Sequence, residues 1–207
     1  MPKRRTRSGG AVVKREPVSY TAPEVLALMN ACSRGPTGRR NRALIVLLWR
    51  GGLRVGEALA LRPGDLDPKR CLVRIARGKG GRARTIALDM WAWETLDLWS
   101  AARADLLGRR AAPYLCTVKG GRLHTSYVRA ALQRLGQHAG IEKRVHPHGL
   151  RHTCALELSR EGVALPTIRD QMGHASVATT DHYLRAHSPV EIERLALARR
   201  GPDVDAT

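Results

Sequence analysis

The residues that could do chemistry in this chain lie mostly in one stretch. From His146 it reads His-Pro-His-Gly-Leu-Arg-His-Thr, then a run with helical spacing, then Met172-Gly173-His174, then a polar segment ending in Asp-His-Tyr-Leu. Arg151, His148 and His174 are potential donors to phosphate oxygens, and Tyr183 offers a hydroxyl nucleophile. Two further cations lie upstream, Arg54 in Gly51-Gly52-Leu53-Arg54-Val55-Gly56-Glu57 and Lys79 in Gly78-Lys79-Gly80. Each residue also has a plainer reading. Arg54 could be a surface arginine and Lys79 a solvated hairpin tip beside Arg77, Arg82 and Arg84. His148 and His152 have a spacing that can hold zinc, but the glutamate of H-E-x-x-H is missing and no third ligand is evident, so His152 reads as a histidine of the core or one that backs the site residues. Asp65 and Asp67 read as loop caps. Glu57 reads as structural, a partner for Arg54 or a cap. Tyr20, Tyr114 and Tyr127 compete with Tyr183 as nucleophile, but none has a His-and-Arg set beside it in sequence.

Composition narrows the partner. The chain has 207 residues, of which 36 are Lys or Arg and 18 Asp or Glu, a formal charge of +18. Such a surplus repels itself and calls for a polyanion. Nucleic acid leads over an anionic membrane surface, because no segment approaches the ~20 apolar residues of a spanning helix. Aromatic residues make up 4% and Phe is absent, which disfavours base stacking on single strands. The basic start is not followed by an apolar run, so a secretory leader is not expected. Four scattered cysteines without a C-x-x-C pair suggest reduced thiols in or near the core, in a cytoplasmic setting.

The elements that must position these residues are mostly helical. Thr21 and Glu24 form a capping box for a helix running to about Cys32. Gly35-Pro36-Thr37-Gly38 reads as a loop, and Arg40 to Trp49 as a helix apolar nearly all round, hence buried. A helix beginning at Leu53 carries Arg54 in its first turn. Cys71, Val73 and Ile75 share one face of a strand, and Arg84 to Leu88 returns as a second, with Lys79 at the tip. A long helix from Met90 to Leu107 has Trp91, Leu96, Leu98 and Leu106 among its apolar positions. Further helices are expected over Thr125–Ala139, Gly149–Glu161 and Pro166–Gln171, then one capped by Ser176 that holds Tyr183. The fold class is α+β, mainly α, with a small antiparallel sheet.

Taken together, the five motifs around Arg54, Lys79, His148–Arg151, Met172-Gly173-His174 and Tyr183 resemble the catalytic domain of the tyrosine site-specific recombinases, the phage integrase family. The resemblance runs from about Thr21 to the C-terminus, and Tyr183 lies nine residues beyond His174. Only Met172, where leucine is more usual, departs from the pattern, and it changes packing and not chemistry. The resemblance implies an integrase-like catalytic domain that cleaves and rejoins double-stranded DNA through a 3′-phosphotyrosyl link. Attack on a phosphodiester gathers charge on its non-bridging oxygens, which positioned cations stabilise. Arg54 and Arg151 are assigned to those oxygens, since an arginine fork donates two parallel hydrogen bonds and stays protonated, with His174 beside them. Tyr183 is the nucleophile, and because a phenol titrates near ~10 it needs a base, for which His148 is the candidate. Lys79 is assigned the proton for the leaving 5′-hydroxyl. No cofactor and no metal is expected.

The resulting division is a basic, disordered arm over 1–19, a catalytic domain over 20–187, and an amphipathic helix and tail over 188–207 that docks on a neighbouring protomer. Members of the family usually carry an N-terminal helical domain that closes a clamp round the duplex. The short arm here implies weak, salt-sensitive, poorly specific binding by this chain alone. A homotetramer on DNA and accessory DNA-bending proteins are the expected partners. The competing readings are a non-catalytic DNA-binding protein that retains the fold and a type IB-like topoisomerase.

Overall fold

The computed structural model describes residues 18–76 and 83–173. Within them seven α-helices surround a three-stranded antiparallel sheet, the mainly helical α+β class expected. The basic arm, Lys79, and everything from His174 onward, Tyr183 and the tail helix included, lie outside the described residues.

Helix α1 (Ala22–Asn30) starts at the expected capping box. The Glu24 N–H donates to Thr21 Oγ1 at 3.3 Å and the Thr21 N–H to Glu24 Oε2 at 2.7 Å. Helix α2 (Pro36–Trp49) begins at Pro36 and not at Arg40. Proline suits the first helical position, where its missing N–H would have no partner, so the four residues read as a loop are the helix entry. Gly38 lets the connection from α1 cross close by, since a Cβ there would lie 1.7 Å from the Ser33 carbonyl oxygen. Every residue from Ala43 to Trp49 is buried, which makes α2 the central rod.

Helix α3 (Val55–Ala60) starts one residue after Arg54, which is its N-cap in extended backbone. A 3₁₀ turn (Pro63–Asp65) and strand β1 (Leu66–Asp67) follow. Asp65 accepts the Arg62 N–H at 2.8 Å and Asp67 the Arg70 N–H at 3.3 Å, so both carboxylates cap loops as expected. Strands β2 (Leu72–Ile75) and β3 (Arg84–Ala87) pair Val73 with Ile86 and Ile75 with Arg84. Val73, Ile75 and Ile86 turn to the core, the period of two that the sequence carried. Strand β1 was not expected; two residues are too few to show alternation.

Helix α4 (Met90–Leu107) keeps its expected limits. Of the apolar residues named for it, Leu96 is buried, while Trp91, Leu98 and Leu106 are 40%, 56% and 40% exposed. The buried stripe is Ala92, Trp93, Leu96, Trp99, Ala102 and Arg103. The helix is apolar on more than one side, so periodicity alone left the choice open, and packing on α2 decides it. Helices α5 (Thr125–His138), α6 (Pro147–Arg160) and α7 (Leu165–Met172) complete the described fold. Helix α6 begins at Pro147 and not at Gly149, because His146 Nδ1 accepts the Gly149 N–H at 3.1 Å and caps it. Helix α7 runs one residue past each expected end and stops at Gly173, whose φ of 63° is left-handed.

Helix α6 packs on α2, and α7 is held between α6 and β3. All four cysteines are free thiols, three of them buried. Among the described residues no helix is long and apolar enough to cross a membrane.

Two glycines on helices should respond to alanine with opposite signs. Gly38→Ala should destabilise the fold by more than about 2 kcal/mol, because the clash is with backbone. Gly56 is exposed with nothing within 4 Å of an added Cβ, so Gly56→Ala should be neutral or stabilise by about 0.5–1 kcal/mol through helix propensity. Denaturant midpoints of the two variants check this.

Candidate active site

Arg54 and Arg151 come from opposite parts of the chain and meet on one cleft. Its volume is about 530 Å³, and among the described residues its lining includes Arg54, Arg129, Arg144, His146, His148 and Arg151 and no acidic residue. Helix α3 delivers Arg54 from its N-cap, and α6 delivers His148 and Arg151 from its first turns.

The guanidinium of Arg151 is buried, with its side chain 4% exposed. One nitrogen donates to the Gly52 carbonyl and the other to the Met172 carbonyl at 2.6 Å. The Gly52 carbonyl can face it because Gly52 sits at φ 62°, and a Cβ there would lie 2.7 Å from Met172 Sδ. This is what the Gly51-Gly52 pair supplies beyond ending α2, and it is where the Met172 thioether packs. Arg54 is more open, its side chain 42% exposed. Its Nη1 donates to Glu57 Oε1 and its Nη2 to the Gly173 carbonyl, both at 2.9 Å.

Among the described residues Glu57 is the one carboxylate that holds these cations, and it does more than the pairing with Arg54 that the sequence suggested. It accepts the Arg54 backbone N–H at 2.8 Å and both terminal nitrogens of Arg84 at 3.0 and 2.9 Å, with Arg151 Nη1 at 4.0 Å. Burial alone would raise its pKa. The hydrogen bonds and charges of Arg84 and Arg54 outweigh burial and hold it at about 2.

His148 is exposed on the cleft rim, its ring nearly parallel to that of His146 at 6.5 Å between centroids. Partial burial, then the charges of Arg151, His146 and Arg54, push its pKa below the ordinary imidazole value. A neutral imidazole beside two arginines is a proton acceptor. His152 is 1% exposed and belongs to the interior, as expected. Among the described residues no group of His, Cys, Asp and Glu comes together that could hold a metal.

Three rival tyrosines have other engagements. Tyr20 is buried, its hydroxyl donating to the Arg144 carbonyl at 2.8 Å and accepting from the His146 N–H at 3.1 Å, and burial lifts its pKa to about 12. Tyr114 is buried against Leu96 and Ser100, which also raises its pKa. Tyr127 accepts from Arg40 at 2.8 Å.

The structure thus brings together Arg54, His148 and Arg151. Lys79, His174 and Tyr183 lie outside the described residues, but two of them border described elements. Lys79 belongs to the connection between β2 and β3, and His174 follows Gly173 directly. Sequence reasoning missed Arg84, Arg129, Arg144 and His146 as members of the site. Only His146 left a local signal, standing before the proline that opens α6.

Glu57 also predicts a pH dependence. Its folded pKa of about 2 lies below the ordinary 4.5. The stability it contributes is therefore present above pH 4.5 and is lost as pH falls toward 2, roughly 3 kcal/mol in all. In Glu57→Gln that acid-labile part should be missing, so the stability gap between the two proteins should shrink as pH falls through this window in acid-denaturation curves.

Comparison with known proteins places the chain among recombinases. The chain is 37% identical over 181 residues to tyrosine recombinase XerD of Mycobacterium leprae, covering 82% of this chain and 57% of that protein. It spans a little over half the length of such curated relatives. A crystal structure of XerA recombinase matches with a TM-score of 0.77 at 30% identity, over 89% of this chain and 66% of the other. The XerH site-specific recombinase bound to palindromic difH substrate, a post-cleavage complex, matches with a TM-score of 0.71 at 26% identity, over 88% and 53% of the two chains. The sequence profile of the phage integrase family covers residues 19–188, and this chain belongs to that family.

Proposed function

We propose that this chain cleaves and rejoins strands of duplex DNA in site-specific recombination. The observation that carries the reading is the cationic cleft, with Arg54 and Arg151 on it, no acid among its described lining residues and a neutral histidine at its rim. The scissile phosphate sits there with its non-bridging oxygens facing the two guanidiniums, and His174 adds a third donor. Tyr183 attacks phosphorus. The new bond is Tyr183 Oη–P, and the bond that breaks is P–O5′. The phenol proton passes to His148, and Lys79 gives a proton to the departing 5′-oxygen. The energy of the broken bond is kept in the phosphotyrosine, so a second 5′-hydroxyl reverses the step without ATP.

A larger groove of about 1290 Å³ supports duplex DNA as the partner. It shares helix α3 with the cleft, is lined by Arg62, Arg109, Arg110, Arg122 and His124 among others, and again has no acid among its described lining residues. A phosphate backbone leaving the cleft has a cationic path there. Recombination breaks strands in two duplexes, which calls for four such sites and hence a homotetramer on paired DNA, with accessory bending proteins to hold it. The substrate puts this action in the cytoplasm.

A duplex carrying a nick beside the cleavage site tests the proposal, since the short fragment is lost and the covalent adduct accumulates. Wild type should form the adduct and Tyr183→Phe none; absence of an adduct on every family-type duplex would leave only DNA binding. Arg151→Ala should slow cleavage by at least about 10²-fold, the scale for losing a charge-stabilising donor. The acid limb of the cleavage rate should lie below the ordinary imidazole value of 6.5, because His148 loses its proton early. Replacing Arg109 and Arg110 by glutamine should weaken duplex binding and flatten its salt dependence by about one to two units of slope in log–log titrations.

A further inference from the structure

Three successive backbone carbonyls at the end of α7 each take a different arginine. Gln171 O accepts from Arg84 Nε at 2.9 Å, Met172 O from Arg151 Nη2 at 2.6 Å, and Gly173 O from Arg54 Nη2 at 2.9 Å. The C-terminal end of a helix carries a partial negative charge, so it attracts cations there. Arg151 and Arg54 line the cleft, whereas Arg84 is not among the lining residues and its side chain is 8% exposed. It lies behind the other two. Its terminal nitrogens take both oxygens of Glu57, and its remaining Nε takes α7. A Cβ on Gly173 would lie 2.6 Å from Arg84 Nη1, so this guanidinium is packed directly on the turn that leads into His174.

The arrangement has an electrostatic consequence. Glu57 touches Arg54 as well as Arg84 and stands 4.0 Å from Arg151. Without Arg84, the partly buried carboxylate would satisfy itself on Arg54 and Arg151 alone and draw both away from the cleft. The end of α7 would lose its tie to β3 at the same time. Lysine cannot replace the contact, because it has no planar fork to span both carboxylate oxygens and a carbonyl together.

We propose that Arg84 is a positioning residue for strand cleavage. It occupies Glu57 and anchors α7, so that Arg54 and Arg151 present their donors to the phosphate. Arg84 itself touches no substrate. This rests on the strand-cleavage reading above.

The test compares wild type, Arg84→Gln and Arg84→Lys in the full chain on the nicked duplex, measuring the dissociation constant and the single-turnover cleavage rate at saturating DNA. Thermal melting of each protein reports folding. The expected result is a rate lowered at least about tenfold in Arg84→Gln with the dissociation constant within about twofold of wild type, since a transition-state interaction is lost and ground-state binding is kept. Arg84→Lys should fall between. Equal rates in wild type and Arg84→Gln would overturn the proposal, as would a rate that declines only in step with binding. If Arg84→Gln does not melt cooperatively, Arg84→Lys decides: a slower rate at unchanged affinity supports the proposal and a wild-type rate overturns it. No adduct with wild type would remove the strand-cleavage reading and this proposal with it, which separates the two failures.

Discussion

One partly buried carboxylate organises the cationic side of this molecule. Arginines repel one another, and a protein with this charge surplus has no general reason to bring them together. Glu57 supplies the reason. Its oxygens hold Arg54 and Arg84 directly, with Arg151 at 4.0 Å. A carboxylate removed from water is costly unless it is paired and hydrogen-bonded. Here the partners over-satisfy it, and the depressed pKa is the measure. The cluster of three guanidiniums and one carboxylate keeps a net positive charge, which remains available to a phosphate.

The scaffold serves that cluster by fixing three short segments relative to each other. The turn after α2 offers the Gly52 carbonyl, α3 offers Glu57 and Arg54, and the end of α7 offers three carbonyls in a row. Each segment depends on a glycine or a cap at its boundary: Gly52 and Gly173 in left-handed backbone, Arg54 at an N-cap, and His146 capping the helix that carries Arg151. The buried length of α2 joins them, packing on α3, α4 and α6.

What the sequence made legible was what is decided locally. The reciprocal bonds of Thr21 and Glu24 involve neighbours, and so did the reading of them. The unbroken apolar run of α2 could only be interior, and the alternation of Val73 and Ile75 could only be a strand with one buried face. The buried face of α4 was not legible because Trp91 and Leu98 are as apolar as Trp93 and Leu96, and only contact with α2 distinguishes them. Arg54, His148 and Arg151 were legible because each stands in a motif of recognisable type. Arg84 was not: in sequence it is one more basic residue in a basic hairpin, and its role exists only through Glu57 and the end of α7, which the fold brings to it.

The hold of Gly173 on Arg54 bears on how the cleft tells one ligand from another. The Nη2 nitrogen of Arg54 carries two N–H bonds, and one of them is spent on a peptide oxygen at a helix end. The other can take an incoming oxygen while the first keeps the guanidinium in place. That oxygen is worth most when it is charged, because a charge-assisted bond is stronger than one to a neutral acceptor. A backbone link with its charge removed, such as a methylphosphonate, would offer Arg54 only a neutral acceptor of the kind it already holds. The selectivity of this donor is therefore for ionisation.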